Sequence, residues 1–103
     1  MITIIEEKQD TLNKLCAKYR IKRLELFGSA ASDENFSIGP SDLDFLVEFL
    51  PLEGGGYFDA YFGFLEELQD LFEKHIDLVT INSIKNPYFL QSVNKSRKLL
   101  YAA

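Results

Sequence analysis

Between positions 42 and 49 the chain reads Asp-Leu-Asp-Phe-Leu-Val-Glu-Phe, so Leu43, Phe45, Val47 and Phe49 fall two residues apart. Successive side chains of a strand point to opposite faces, which puts these four on one face. A strand this apolar on one side needs a second layer to cover it. The rest of the chain offers that layer as helices. Ile5, Leu12, Leu15, Cys16 and Tyr19 recur at helical spacing across 4–19. Phe58, Tyr61, Phe62, Leu65, Leu68 and Phe72 do the same across 57–74 and are expected to form core.

Shorter elements fill the gaps. Residues 23–27 alternate charged and apolar side chains, as a half-buried strand does, and Gly28-Ser29 ends them. Residues 32–41 gather Asp, Asn, Gly, Pro and Ser, the chemistry of a loop. Pro51 closes the strand over 42–49, and 53–56 (Glu-Gly-Gly-Gly) is a flexible turn. Residues 76–81 form a short strand, a third helix starts near Pro87, and 99–101 could be a last strand. Thr3 followed by Glu6 matches a capping box at the first helix. The order α-β-β-α-β-α-β predicts an α+β (α/β) fold, a small mixed β-sheet with helices packed on it. The 103 residues suffice for one domain, 1–103, without stapling by disulfides. The lone cysteine, Cys16, lies in the first apolar stripe and reads as a buried thiol.

Several classes are excluded. The opening MITIIEEKQD lacks the basic and apolar regions of a signal peptide, and nothing reaches the ~20 apolar residues of a membrane helix. A soluble, cytoplasmic protein with no membrane partner is expected. The net charge of -5, with no basic cluster, argues against binding free nucleic acid, which needs Lys and Arg on phosphates.

The chemistry concentrates on three aspartates. Asp42 and Asp44 share a face at the start of their strand, and two like charges so close repel. A hard cation such as Mg²⁺, bound through carboxylate and substrate phosphate oxygens, is the natural occupant between them. Asp77 faces away from Ile76 and Leu78 in a short apolar strand, where an unpaired carboxylate is costly if buried. If that strand adjoins the first, the three carboxylates can hold two metal ions ~3.5–4 Å apart, the spacing used in phosphoryl and nucleotidyl transfer. The Gly28-Ser29 turn lets the backbone approach a ligand closely and offers N–H and hydroxyl groups to phosphate. A single histidine, His75, cannot make the usual zinc set and reads as a strand-edge surface residue. The pairs Glu6-Glu7 and Glu66-Glu67 read as solvated helix faces.

The run Leu26-Phe27-Gly28-Ser29-Ala30-Ala31 through Ser41-Asp42-Leu43-Asp44-Phe45-Leu46-Val47, continuing to Asp77-Leu78-Val79, resembles the signature of the DNA-polymerase-β-like nucleotidyltransferases. Within them it is most similar to the minimal nucleotidyltransferase (MNT) proteins of bacteria and archaea. The resemblance implies a nucleotidyltransferase-like fold and an NTP substrate, ATP or another. Gly28, Ser29 and Ser41 would then bind the nucleotide, and Asp42 and Asp44 would ligate two Mg²⁺ ions. Asp77 would ligate one metal and help activate the attacking hydroxyl. It also implies a partner, because some relatives are antitoxins paired with HEPN-type toxins, silenced by binding or by AMP attached to a tyrosine. One departure stands out: Ser32 and Asp33 occupy positions where many members carry Arg-Gly. A missing Arg removes a phosphate grip, which Lys22, Arg23, Lys85 or Arg97 would have to supply.

Two readings follow. In one, the chain is a Mg²⁺-dependent enzyme moving NMP, AMP first among candidates, from an NTP to a hydroxyl on a protein. In the other, it is a catalytically weak module acting by protein–protein binding. Either needs a partner or a homo-oligomer to complete the acceptor side.

Overall fold

The computed structural model describes residues 3–27, 43–52 and 54–103. Strand β1 (Ile21–Phe27), β2 (Leu43–Phe49), β3 (Ile76–Thr80) and β4 (Lys98–Ala102) form one sheet in the order β3-β2-β1-β4. β1 runs antiparallel to both β2 and β4, whereas β2 and β3 are parallel, so the sheet is mixed. The parallel pair requires a crossover, and helix α3 (Tyr57–Phe72) makes it. Helices α1 (Thr3–Glu7) and α2 (Gln9–Lys18) precede β1, and α4 (Pro87–Ser96) joins a 3₁₀ turn at Ile81–Ser83 to β4. The α+β architecture expected from the sequence is thus observed.

The main core lies on one face of the sheet. Leu43, Phe45 and Val47 of β2, Ile76 and Leu78 of β3, and Ile21, Leu24 and Leu26 of β1 are buried there. Ile21 and Leu24 differ by three positions yet share that face. A bulge between Ile21 and Arg23 accounts for it, since one extra residue reverses the alternation. Ile5, Leu12 and Cys16 cover this face from α1 and α2, and Phe64, Leu68 and Phe72 from α3. The Phe45 and Phe72 rings stack at 5.9 Å across the layers. Gly63 allows α2 and α3 to meet: a Cβ there would stand 2.9 Å from the Tyr19 ring.

Two expectations change. The single helix over 4–19 is broken at Lys8 into α1 and α2, and Thr3 is the first helical residue rather than a residue capping it from outside. The aromatic stripe of α3 is also displaced. Phe58 is 74% exposed and Phe62 49%, while Phe64, absent from the expected stripe, is fully buried. Seven of the first eight residues of α3 are aromatic or small, so spacing alone could not choose its inner face. Glu66 is exposed as expected, but Glu67 is engaged: the Tyr19 hydroxyl donates to it and Lys18 Nζ lies 3.0 Å away.

α4 begins as its sequence suggests. Asn86 accepts from the Tyr88 N–H at 2.9 Å and the Phe89 N–H at 3.4 Å, and Pro87 takes the first helical position. The helix packs on the opposite face of the sheet from α1–α3, with Val93 buried against Phe27 and Leu46.

Cys16 is buried as expected, and burial pushes its thiol from 9.0 up to about 12. The folded state therefore favours the protonated thiol. That contribution is complete below pH 9 and is lost as pH rises from 9 toward 12. In the native protein Cys16 should resist alkylation near neutral pH and react only on unfolding. Chemical denaturation should show stability falling with pH across that window, with a shallower fall in Cys16→Ala.

Candidate active site

The sheet brings two of the three aspartates together. In the parallel pairing of β2 and β3, Asp44 stands opposite Asp77, flanked by Leu43 opposite Ile76 and Phe45 opposite Leu78. Residues paired across neighbouring strands share a face, so both carboxylates leave the sheet on the side away from the main core. Neighbouring strands lie ~4.8 Å apart, which sets the separation of the two residues. Asp44 is half-buried and Asp77 exposed. The other neighbour of Asp44 is Phe27, the last residue of β1, which Gly28 follows in the sequence. The backbone N–H of Leu43 donates to the His75 carbonyl at 3.2 Å, tying the start of β2 to the residue before β3. His75 itself is exposed at the strand edge, as expected.

β3 is an edge strand, and its outer side is secured by side chains. Because the His75 carbonyl faces β2, the alternation of a parallel ladder turns the Leu78 and Thr80 carbonyls outward. The Tyr61 hydroxyl of α3 donates to the Leu78 carbonyl, and the Ser83 hydroxyl donates to the Thr80 carbonyl at 2.8 Å. Burial, and then the negative charge of Asp77, push the Tyr61 phenol above its ordinary value, so it keeps the proton it donates.

Glu25 was not singled out by the sequence. Its place between Leu24 and Leu26 suggested a solvent face, yet it is 5% exposed. It lies opposite Leu46 in the sheet, hence on the same face as Asp44. Arg23 Nε stands 3.4 Å from one carboxylate oxygen and Arg97 Nε 3.5 Å from the other. Of the cations considered for phosphate, Arg23 and Arg97 are thereby both held by one buried carboxylate on the aspartate face. Lys22 instead pairs with Glu48 at 3.5 Å.

Gly28, Ser29, Ser32, Asp33, Ser41 and Asp42 lie outside the described residues. Among the described residues no group of three or more His, Cys, Asp or Glu side chains could hold a metal ion. Asp44 and Asp77 offer adjacent carboxylate oxygens, the donor type a hard divalent cation takes, so the residues present suit Mg²⁺ and need at least one further ligand. No described helix is long and apolar enough to cross a membrane.

Comparison with known proteins gives the family and the fold. A family model described as "Nucleotidyltransferase domain" matches residues 8–100. Among similar sequences, the Methanocaldococcus jannaschii protein named "Putative protein adenylyltransferase MJ0128" is 38% identical over 95 residues, covering 88% of this chain and 92% of that protein. A second from the same organism, "Putative protein adenylyltransferase MJ1379", is 36% identical over 80 residues, covering 76% and 75%. A solved "putative minimal nucleotidyltransferase" superposes with a TM-score of 0.70 at 26% identity, over 91% of this chain and 90% of that one. A chain of a toxin–antitoxin crystal structure with AMP-PNP gives a TM-score of 0.66 at 21% identity, over 92% and 73%. A complex of the tri-AMPylated Shewanella oneidensis HEPN toxin with an MNT antitoxin gives 0.63 at 20% identity, over 95% and 72%.

Proposed function

The chain belongs to the nucleotidyltransferase domain family, and from that premise we propose that it transfers AMP from ATP to a hydroxyl group on a protein. The observation that carries the reading is the in-register pairing of Asp44 with Asp77, with Phe27 at the end of β1 as the other strand partner of Asp44. The names of the two archaeal relatives and the AMPylated toxin complex support a protein acceptor and AMP as the group moved. The full 103 residues act as one minimal domain.

In this proposal Asp42, Asp44 and Asp77 hold Mg²⁺, which when bound neutralises the triphosphate beside the carboxylates. Gly28, Ser29 and Ser41 bind the phosphates through N–H and hydroxyl donors. The acceptor oxygen forms a bond to the α-phosphorus while the bond from that phosphorus to pyrophosphate breaks, and the hydroxyl proton passes to the Asp77 carboxylate. Arg97, aimed by Glu25, adds positive charge on the same face. It offers one answer to the Ser32-Asp33 departure, which favours the second reading, a binding module of low activity.

Calorimetric titration of ATP into the protein, first with Mg²⁺ and then with EDTA, tests the reading. Mg²⁺-dependent binding is expected in the native protein and absent from Asp42→Ala/Asp44→Ala. Equal binding in the double variant, or no binding at millimolar ATP, would favour the binding module.

A further inference from the structure

α4 borders the aspartate face, and the proposed transfer reaction leaves its outer surface without a role. Its inner side is anchored: Val93 is 1% exposed, and the Phe89 ring meets Phe27 edge-on at 6.1 Å. Phe27 is the strand partner of Asp44, so the helix flanks the carboxylates on their own side of the sheet. Its outer side differs from an ordinary solvated helix face. Tyr88 is 80% exposed and Leu90 36%. Pro87, Tyr88, Leu90, Gln91 and Asn94 line a groove of about 450 Å³.

The charge of this region runs against that of the chain. Residues 84–98 hold four of the 11 Lys and Arg and none of the 16 Asp and Glu, in a chain of net charge -5. Three of these cations, Lys95, Arg97 and Lys98, fall within four residues, a short basic run that the expectation of no basic cluster passed over. Arg97 is committed to Glu25. Lys85 and Lys95 are exposed and have no ion-pair partner among the described residues, whereas Lys98 pairs with Leu26 in the sheet and so faces the side away from α4. Tyr88, Gln91 and Lys95, spaced three and four apart, share one stripe of the helix, so the aromatic ring and a cation present together.

We propose that the outer face of α4 docks the protein acceptor, and that the acceptor brings to it an acidic segment with apolar side chains beside the hydroxyl that receives AMP. The proposal rests on the transfer reading above. Charge complementarity selects the occupant: an acidic segment is attracted to Lys85 and Lys95 and is repelled by most other surfaces of this acidic chain. The exposed Tyr88 and Leu90 supply the apolar anchor that such a segment needs. RNA fits less well, because a long polyanion would extend from the patch onto repelling surface.

A random Glu–Tyr copolymer, acidic and rich in aromatic hydroxyls, serves as probe, with a Lys–Tyr copolymer as the opposite-charge control. Binding is followed by fluorescence anisotropy, AMP transfer with α-labelled ATP, and ATP affinity by calorimetry, in the native protein, Tyr88→Ser, Lys95→Glu and the double variant. The native protein should prefer the Glu–Tyr copolymer by about tenfold or more. The double variant should lose about tenfold in copolymer affinity with ATP affinity unchanged. Unchanged copolymer binding in the variants, or preference for the Lys–Tyr copolymer, overturns the docking surface. So does displacement of the Glu–Tyr copolymer by homopolymeric RNA whose own binding depends on Tyr88 and Lys95. Binding that depends on α4 in a protein that neither binds ATP nor transfers AMP would leave the surface standing and remove the transfer reading instead.

Discussion

Asp77→Asn is expected to lower Mg²⁺-dependent AMP transfer to tyrosine-bearing acceptors by about 100- to 1,000-fold, the scale of losing one preorganised electrostatic contact in an active site. The same change should slightly stabilise the protein without metal. Asp77 pairs in register with Asp44, and two charges ~5 Å apart in water-like surroundings repel by ~1 kcal/mol. Relief of that repulsion raises the melting temperature by about 4–8 °C per kcal/mol in a domain of this size. The two effects together identify a site whose carboxylates are held close for a ligand. A purely structural Asp77 would give the opposite stability change, because its removal would cost the fold an interaction. Melting curves of Asp77→Asn and the native protein, with and without Mg²⁺-ATP, separate the cases. The native protein should gain stability from Mg²⁺-ATP, and the variant should gain little.

Phe64→Ala is expected to cost about 3–5 kcal/mol, a large part of the stability of a domain this small. Phe64 is fully buried, sits in the main core, and packs against Tyr19 with ring centroids 5.8 Å apart. Its loss leaves a cavity between α2 and α3 that neighbouring helices cannot easily close. Phe58→Ala, six residues earlier on the same helix, should change stability by no more than ~0.5 kcal/mol, since Phe58 is 74% exposed. Urea denaturation of the two variants decides between the structure and the stripe expected from spacing. If Phe58→Ala were the costlier change, the inner face of α3 would be assigned wrongly.

The contrast between these two residues shows where sequence reasoning stopped. Local chemistry gave the strands because alternation in a strand has a period of two and leaves one choice of face: Leu43, Phe45 and Val47 are buried where expected. Pro87 gave the start of α4 because its fixed backbone angle suits a first helical position, and the structure adds the Asn86 cap. In α3, aromatic residues occupy several faces at once, so hydrophobicity could not select the inner one. Burial of Phe64 over Phe58 is settled by which face the sheet and α2 present.

The site divides along the same line. The sequence by itself determined that Asp44 and Asp77 lie on strands with their side chains turned from the core, because that follows from the residues on either side of each. It also carried the family signature, which the match over residues 8–100 bears out. Only the tertiary structure decided that the two strands are parallel neighbours in a register that sets Asp44 opposite Asp77. Strand order and register depend on the α3 crossover and on the layer it covers, which are long-range contacts absent from any local pattern. Tertiary structure likewise buried Glu25 with Arg97 and packed the basic, aromatic α4 on Phe27, since these contacts join residues more than 60 positions apart in the chain with nothing local to link them.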